Sequence, residues 1–403
     1  MRILLLAPHP FYQERGTPIA VSLILQVVSK RGDEVDVVTF HEGQNPVYPG
    51  VTIHRIPSLF FAKGVRPGFS LKKLVCDAFL FLKVLQRVVK DPYDVIHAVE
   101  ESVFMALVIK WVFGIPYIYD MDSSLAQQMV EKYSWLSKIK FLLNACEGIV
   151  IRHARAVLPV CEALAQVVRG NKQDNVMILH DVPLSGKQTS QNRTSLKQEL
   201  GLHGSLVMYV GNLEHYQGID LLLNSFALVA EEDPDVNLVI IGGEEQDITR
   251  YAKMAEALQI YPRVHFLGPK PVEELGTYLA EADILVSPRI AGNNTPMKVY
   301  SYLQSGVPVV ATDLLTHTQV MNDRVGELVR PTPEEFSAGL LRLLGNDRLR
   351  RQLGTAAQEL IKTHFSFEAF SQKVNQLYDW VKTGDETLLP TKSIISPSPN
   401  PQL

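Results

Sequence analysis

Apolar residues along the chain fall into two kinds of run. Short stretches at Arg2–Ala7, Val35–Phe40, Asp94–His97, Tyr117–Tyr119 and Ala156–Pro159 are rich in apolar and β-branched residues, with segments of helical length between most of them. After a polar interval the rhythm restarts at Leu206–Val210, Asn237–Ile241, Val264–Leu267, Ile284–Val286 and Val307–Ala311. A strand apolar throughout is buried on both faces, as in a parallel sheet covered by helices on each side. Two such series predict two doubly wound α/β domains. The interval SGKQTSQNRT has no apolar residue and reads as the boundary. The expected organisation is a domain over 1–185, a linker over 186–198, a second domain over 199–365 and a helix over 366–382. That helix places Phe367, Phe370, Val374, Leu377 and Tyr378 at helical spacing, and the Pro/Ser-rich 383–403 reads as a disordered tail.

Composition narrows the classes. In 403 residues, 39 Lys and Arg face 43 Asp and Glu, a formal charge of −4, which argues against a protein that coats nucleic acid. Cys76, Cys146 and Cys161 stand far apart with no CxxC pair, so neither a disulfide framework nor a zinc ribbon is indicated. The apolar run in MRILLLAPHP is too short for a signal peptide. The most apolar stretch, Val103–Tyr119, contains Lys110 and is broken at Gly114 and Pro116, short of a membrane span. These features lead us to expect a cytoplasmic protein. A peripheral contact with an anionic membrane is expected from 57–90, where seven Lys and Arg face Asp77 alone and Phe60, Phe61, Phe69, Phe79 and Phe81 are interleaved.

Candidate chemistry sits where strands feed helices, because ligands of parallel α/β sheets bind at the carboxyl ends of strands. Gly16 and Thr17 follow the first strand, with Thr17 suited to cap a helix beginning near Pro18. Gly211–Gly218 (GNLEHYQG) follows the strand Leu206–Val210, and Gly242 and Gly243 follow the next. Such loops can turn backbone N–H groups toward a phosphate, although a glycine pair is also an ordinary turn. The most informative stretch is SPRIAGNNTPMKVYSYLQSGVPVVATD, where Gly292, Asn293 and Asn294 form a loop, Thr295 is the expected cap and Pro296 the first helical residue. Lys298 in that first turn opposes the helix dipole, a conflict that a bound anion would resolve. A loop in each domain points to a ligand held in the cleft between them.

These residues carry a resemblance. GNLEHYQGIDLLLNSF, VHFLGPKPVEELGTYLAEADILVSPR and TPMKVYSYLQSGVPVVATD are similar to family 4 glycosyltransferases, retaining enzymes of the GT-B fold with two Rossmann-like domains facing across a cleft. The resemblance covers most of the chain to about residue 382. It implies an acceptor-side first domain, a donor-binding second domain and a last helix crossing back to the first. It also implies a nucleotide-sugar donor, UDP by family frequency, a glycan, lipid or small-molecule acceptor, and no cofactor or metal. By the same resemblance Gly16, Gly211 and Gly218 approach the donor diphosphate, and Phe266, Leu267 and Gly268 lie near the base. Gly306, Val307 and Pro308 match the turn after the donor-site helix.

The departures are specific. The Arg and Lys usual in the family's second loop are Asn212 and Gln217 here. Its two glutamates align on Asn293 and Ser301, and a common histidine is replaced by Asp120 or Asp122. Arg289 and Lys298 are therefore the expected cations for the leaving diphosphate, an electrostatic task, and Asp120 and Asp122 the expected acceptor-orienting groups, although either could be a loop or capping carboxylate. Two other classes remain open: a non-catalytic relative that binds nucleotide sugar, and an epimerase or phosphorylase on the same scaffold. A nicotinamide-dependent dehydrogenase is disfavoured, since neither glycine loop reads GxGxxG.

Overall fold

The computed structural model describes residues 1–13, 16–59, 62, 64–65, 70–184 and 195–385. It separates into two units, Met1–His180 together with the chain from Phe370 onward, and Asp181–Ala369. In the first unit, Arg2–Ala7 (β1), Glu34–Thr39 (β2), Val51–Arg55 (β3), Val95–Val99 (β4), Tyr117–Met121 (β5) and Ala156–Pro159 (β6) form a parallel sheet in the order β3-β2-β1-β4-β5-β6. In the second unit, Leu206–Val210 (β7), Asn237–Ile241 (β8), Val264–Gly268 (β9), Ile284–Ser287 (β10), Val309–Thr312 (β11) and Glu327–Val329 (β12) repeat that topology as β12-β11-β10-β7-β8-β9. Strand order reverses between β1 and β4 and between β7 and β10. At each reversal the loops after neighbouring strands diverge, leaving a crevice at the carboxyl ends.

The two strands absent from the expected series are β3 and β12. Both are edge strands. VTIHR in β3 alternates apolar and polar residues and is only partly buried, while β12 has three residues. The central strands are apolar because both faces are covered: every residue of β4, β5 and β10 is buried. The expected linker over 186–198 is corrected at its end. Ser195 accepts from the Gln198 N–H and caps a short helix, Leu196–Glu199, whose Leu196 is buried. The rest of that interval lies outside the described residues, as do 386–403 of the tail.

The helix Phe367–Thr383 ends on the first unit, burying Phe370, Val374, Leu377, Tyr378 and Trp380. Three polar contacts orient it there. Arg31 pairs with Asp379 at 2.8 Å, the Arg155 guanidinium lies 4.9 Å from the Trp380 ring centroid, and the Tyr378 hydroxyl meets His97 Nδ1 at 2.8 Å. His97 Nε2 faces Asp120 at 3.3 Å, so Nε2–H donates to the carboxylate and Nδ1 accepts from Tyr378. Tyr378→Phe leaves a buried ring nitrogen unpaired and is expected to destabilise the chain by about 1–3 kcal/mol. Urea denaturation monitored by circular dichroism checks this, and an unchanged midpoint would contradict it.

Candidate functional site

In the second unit the chain leaves β7 at Gly211, whose N–H donates to Ile241 O at 2.9 Å. The loop tightens into a 3-10 turn at His215–Gln217 and enters the helix Ile219–Glu232 through Gly218, at φ +75°. A Cβ on Gly218 would run into the Pro288 carbonyl. This glycine therefore lets the loop after β7 touch the loop after β10, and the Ile290 N–H closes the contact on Tyr216 O at 2.9 Å.

Lys298, in the first turn of the helix Met297–Ser305, reaches back to that first loop. Its Nζ donates to Gln217 Oε1 at 3.0 Å and lies 3.8 Å from the centroid of the Tyr209 ring. A Cβ built on Gly211 would stand 3.0 Å from the same nitrogen. Arg289, after β10, is committed to its own loop: Nε donates to Ala291 O at 2.7 Å, and Nη1 and Nη2 to Asn294 O and Oδ1 at 3.0 Å each. Its guanidinium lies 5.1 Å from the Tyr216 ring centroid. Among the described residues no carboxylate pairs with Lys298. Desolvation, then the charge of Arg289, push its ammonium well below the usual lysine range. Lys298 is thus held against Tyr209 and Gln217 in the field of the Arg289 guanidinium.

Lys298 is partly buried, and the other expected residues of this unit have the following surroundings. Thr295 does not cap the helix, which begins at Met297; its hydroxyl is buried with no partner among the described residues. The Ser301 hydroxyl accepts from the Leu184 N–H at 2.9 Å, and the Asn293 carbonyl accepts from Gln319 at 2.8 Å. Asn212 holds its own loop: its carbonyl accepts from the Tyr209 hydroxyl at 2.6 Å and its Oδ1 from the Glu214 N–H at 3.4 Å. Gly243, at φ +85°, packs under Leu213, where a Cβ would collide. Gly292, at φ +116°, leaves room for the Arg289 guanidinium. Phe266 and Leu267 lie on the edge strand β9, packed against different hydrophobic clusters.

In the first unit Thr17 lies inside the helix Gly16–Lys30, and its hydroxyl bonds the Asp122 carboxylate instead of capping. A Cβ on Gly16 would meet nothing within 4 Å. Asp120 is taken by His97. Asp122 joins a group of carboxylates near the ends of β4 and β5 that includes Glu100 and Glu101. Glu100 has φ +50°, and both its oxygens accept from the Ser123 hydroxyl at 3.0 Å. Burial, then Asp122 and Glu101, raise Glu100 well above the carboxylate range. Burial, then Asp120, push Asp122 up to about 7. Asp77, on the helix Leu71–Lys90, is likewise pushed up to about 7 by burial and then Glu101. Lys73 pairs with Glu101 and offsets part of this. Among the described residues no group of three or more His, Cys, Asp or Glu side chains could hold a metal ion.

Comparison with known proteins places this arrangement. Residues 16–179 match the sequence model described as "Glycosyl transferase 4-like domain", and residues 192–360 match "Glycosyl transferases group 1". The chain belongs to the family 4-type glycosyltransferases. It is 25% identical to D-inositol 3-phosphate glycosyltransferase of Corynebacterium diphtheriae over 398 residues, 93% of this chain and 90% of that protein. It is 23% identical to phosphatidyl-myo-inositol mannosyltransferase of Mycobacterium leprae, over 95% of this chain and 98% of that protein. The fold matches the crystal structure of Anabaena HepE in complex with UDP and glucose, with a TM-score of 0.75, 17% identity, and coverage of 94% and 99%. The two doubly wound units are those of the GT-B class.

For such a glycosyltransferase, sequence reasoning missed Tyr209 beneath Lys298, Tyr216 beneath Arg289, and Glu100. The tyrosines gave no local signal because each meets its cation only through tertiary packing. Glu100 and Glu101, three and four residues past the predicted strand Asp94–His97, were a visible signal. The carboxylate group generates a pH prediction. Asp77 has a folded pKa of about 7 against an ordinary value of 3.8, so the stability it permits is full below about pH 4 and is lost as pH rises through 7. Asp77→Asn is expected to match the parent at pH 4 and exceed it at pH 8 by about 1–4 kcal/mol. Thermal melts at both pH values check this, and equal differences at the two would contradict it.

Proposed function

We propose that the second unit binds the diphosphate of a nucleotide sugar, UDP-linked in the first instance, with Lys298 as the principal cation. The carrying observation is the placement of Lys298 Nζ, 3.0 Å from Gln217 Oε1 and 3.8 Å from the Tyr209 ring centroid, with no carboxylate partner among the described residues. An anion there would remove the repulsion between the two cations and give the ammonium's remaining donors an acceptor. The buried, unpartnered Thr295 hydroxyl and the N-terminus of the helix Met297–Ser305 supply further donors in the same segment. The solved HepE structure, which holds UDP and glucose, supports a UDP-sugar for this fold. The acceptor we propose is a hydroxyl of a glycan or lipid-linked polyol, in line with the inositol-containing substrates named for the two relatives.

In the proposed reaction the acceptor hydroxyl attacks the anomeric carbon from the face the leaving group departs. The bond from that carbon to the diphosphate oxygen breaks with its electron pair on the phosphate. The hydroxyl proton passes to that phosphate oxygen, and configuration is retained. Charge on the diphosphate grows toward the transition state, where Lys298 contributes most. Neither Asn293 nor Ser301 supplies a carboxylate, and a protein that binds donor without turning it over is the second reading.

Lys298→Met keeps most of the stem volume and removes the charge. A charge-assisted hydrogen bond to phosphate contributes roughly 1.5–3 kcal/mol, so UDP binding measured calorimetrically should weaken by about 10- to 150-fold. Stability of the empty protein should not fall with it, because repulsion from Arg289 is relieved. Parent-like UDP affinity in this variant would remove the assignment. Turnover of UDP-sugars by the parent distinguishes the transferase from a binding-only relative.

A further inference from the structure

The helix Ser102–Phe113, SVFMALVIKWVF, has only two polar residues, Ser102 and Lys110. A surface helix buries one apolar stripe and shows water a polar face. This helix buries Val103, Ala106, Leu107 and Ile109 and still exposes Phe104, Val108, Trp111, Val112 and Phe113, with Trp111 61% exposed. Its neighbour on the same side of the sheet, the helix Lys140–His153, continues the surface. Lys110 Nζ donates to His153 O at 2.7 Å, and the Trp111 and His153 rings meet edge to face at 5.9 Å. From the second helix and the turn before it, Phe141 (75%), Trp135 (66%), Leu142 and Ile149 are exposed.

We propose that this face of the first unit docks on an anionic lipid bilayer. Charge selects that occupant. Lys132, Lys138, Lys140 and Arg152 are exposed along the segment from Lys132 to His153. Glu147 is the one carboxylate in it, and it is buried against Ser124 Oγ and the Leu125 N–H at 2.8 and 2.7 Å. The described exposed charges of that segment are therefore all basic, in a chain of net charge −4. Protein interfaces are depleted in lysine, whereas tryptophan, phenylalanine and lysine together are the composition of a surface lying in the headgroup layer. Among the described residues no helix is long and apolar enough to cross a membrane, so the contact is peripheral. It is distinct from the face expected from 57–90, where Leu71, Leu74, Leu82 and Val89 are exposed. There Phe79 and Phe81 pack against the core, and Phe60, Phe61 and Phe69 lie outside the described residues.

Two of the three tryptophans, Trp111 and Trp135, are on the patch, and the third, Trp380, is buried. Tryptophan emission therefore reads docking directly. The full chain is mixed with vesicles of phosphatidylcholine alone or of phosphatidylcholine with phosphatidylglycerol. Blue-shifted emission and sedimentation with the second kind only, weakened by added salt, are expected. Trp111→Glu combined with Phe141→Glu should lower the vesicle partition coefficient by about a hundredfold or more, since each side chain loses its apolar burial. UDP affinity and circular dichroism should be unchanged, so docking and the donor-site reading fail separately. No sedimentation with either vesicle, equal binding to both, or a double variant that binds like the parent would overturn the proposal. Concentration-dependent dimerisation abolished by the double variant, without vesicle binding, would assign the face to a second copy of the chain and also overturn it.

Discussion

A parallel sheet covered by helices on both faces has no interior place for an unpaired charge. Burying one costs several kcal/mol unless a partner or ligand answers it, so polar chemistry gathers at the carboxyl ends of the strands. Both units obey this constraint at the carboxyl ends of their strands. In the second, Lys298 and Arg289 stand together over Tyr209 and Tyr216. In the first, Glu100, Glu101 and Asp122 crowd near the ends of β4 and β5, each raising the cost of ionising the next. Neither arrangement is one that folding alone would favour. Packing around them is extensive enough to hold groups of like sign close, at a cost in ionising them.

The two clusters differ in sign, which divides their tasks. Lys298 and Arg289 are of the sign that suits the proposed leaving diphosphate. Crowded carboxylates suit hydroxyl groups, which can donate to several oxygens at once, and disfavour a phosphate next to them. Glu100 takes a left-handed backbone conformation that a residue with a Cβ adopts at a cost of about 1–2 kcal/mol. Its carbonyl accepts from the Val103 N–H and its own N–H donates to Asp120 O, so the turn is held at both sides.

Much of the fold was legible in the sequence because burial on both faces writes itself as uninterrupted apolar runs. Leu206–Val210 and Ala156–Pro159 appear in the structure with the bounds the pattern predicts. The pattern fails at sheet edges, where Val51–Arg55 faces water on one side and Glu327–Val329 is too short to show a period. The candidate site was legible as segments and not as contacts. Lys298 stood out because a cation opens a helix, and Gln217 because a glutamine replaces an expected lysine. That the two touch is a tertiary fact, made possible by the missing side chains of Gly211 and Gly218. Thr17, Thr295 and Ser301 were read as caps or ligand groups, and packing gave each a different environment. The apolar stretch from Val103 carried a surface signal that sequence alone could not separate from core, since exposure is not written in composition.

On the proposed reading, the Lys298 ammonium is held at electrostatic cost until an anion arrives. The direct measurement is the titration of its Nζ by heteronuclear NMR, assigned with Lys298→Met, in the empty protein and with saturating UDP. A pKa well below the ordinary lysine value of about 10.4 is expected in the empty protein, rising toward or beyond it when UDP is bound. An ordinary pKa in the empty protein, or one that UDP leaves unmoved, would contradict it.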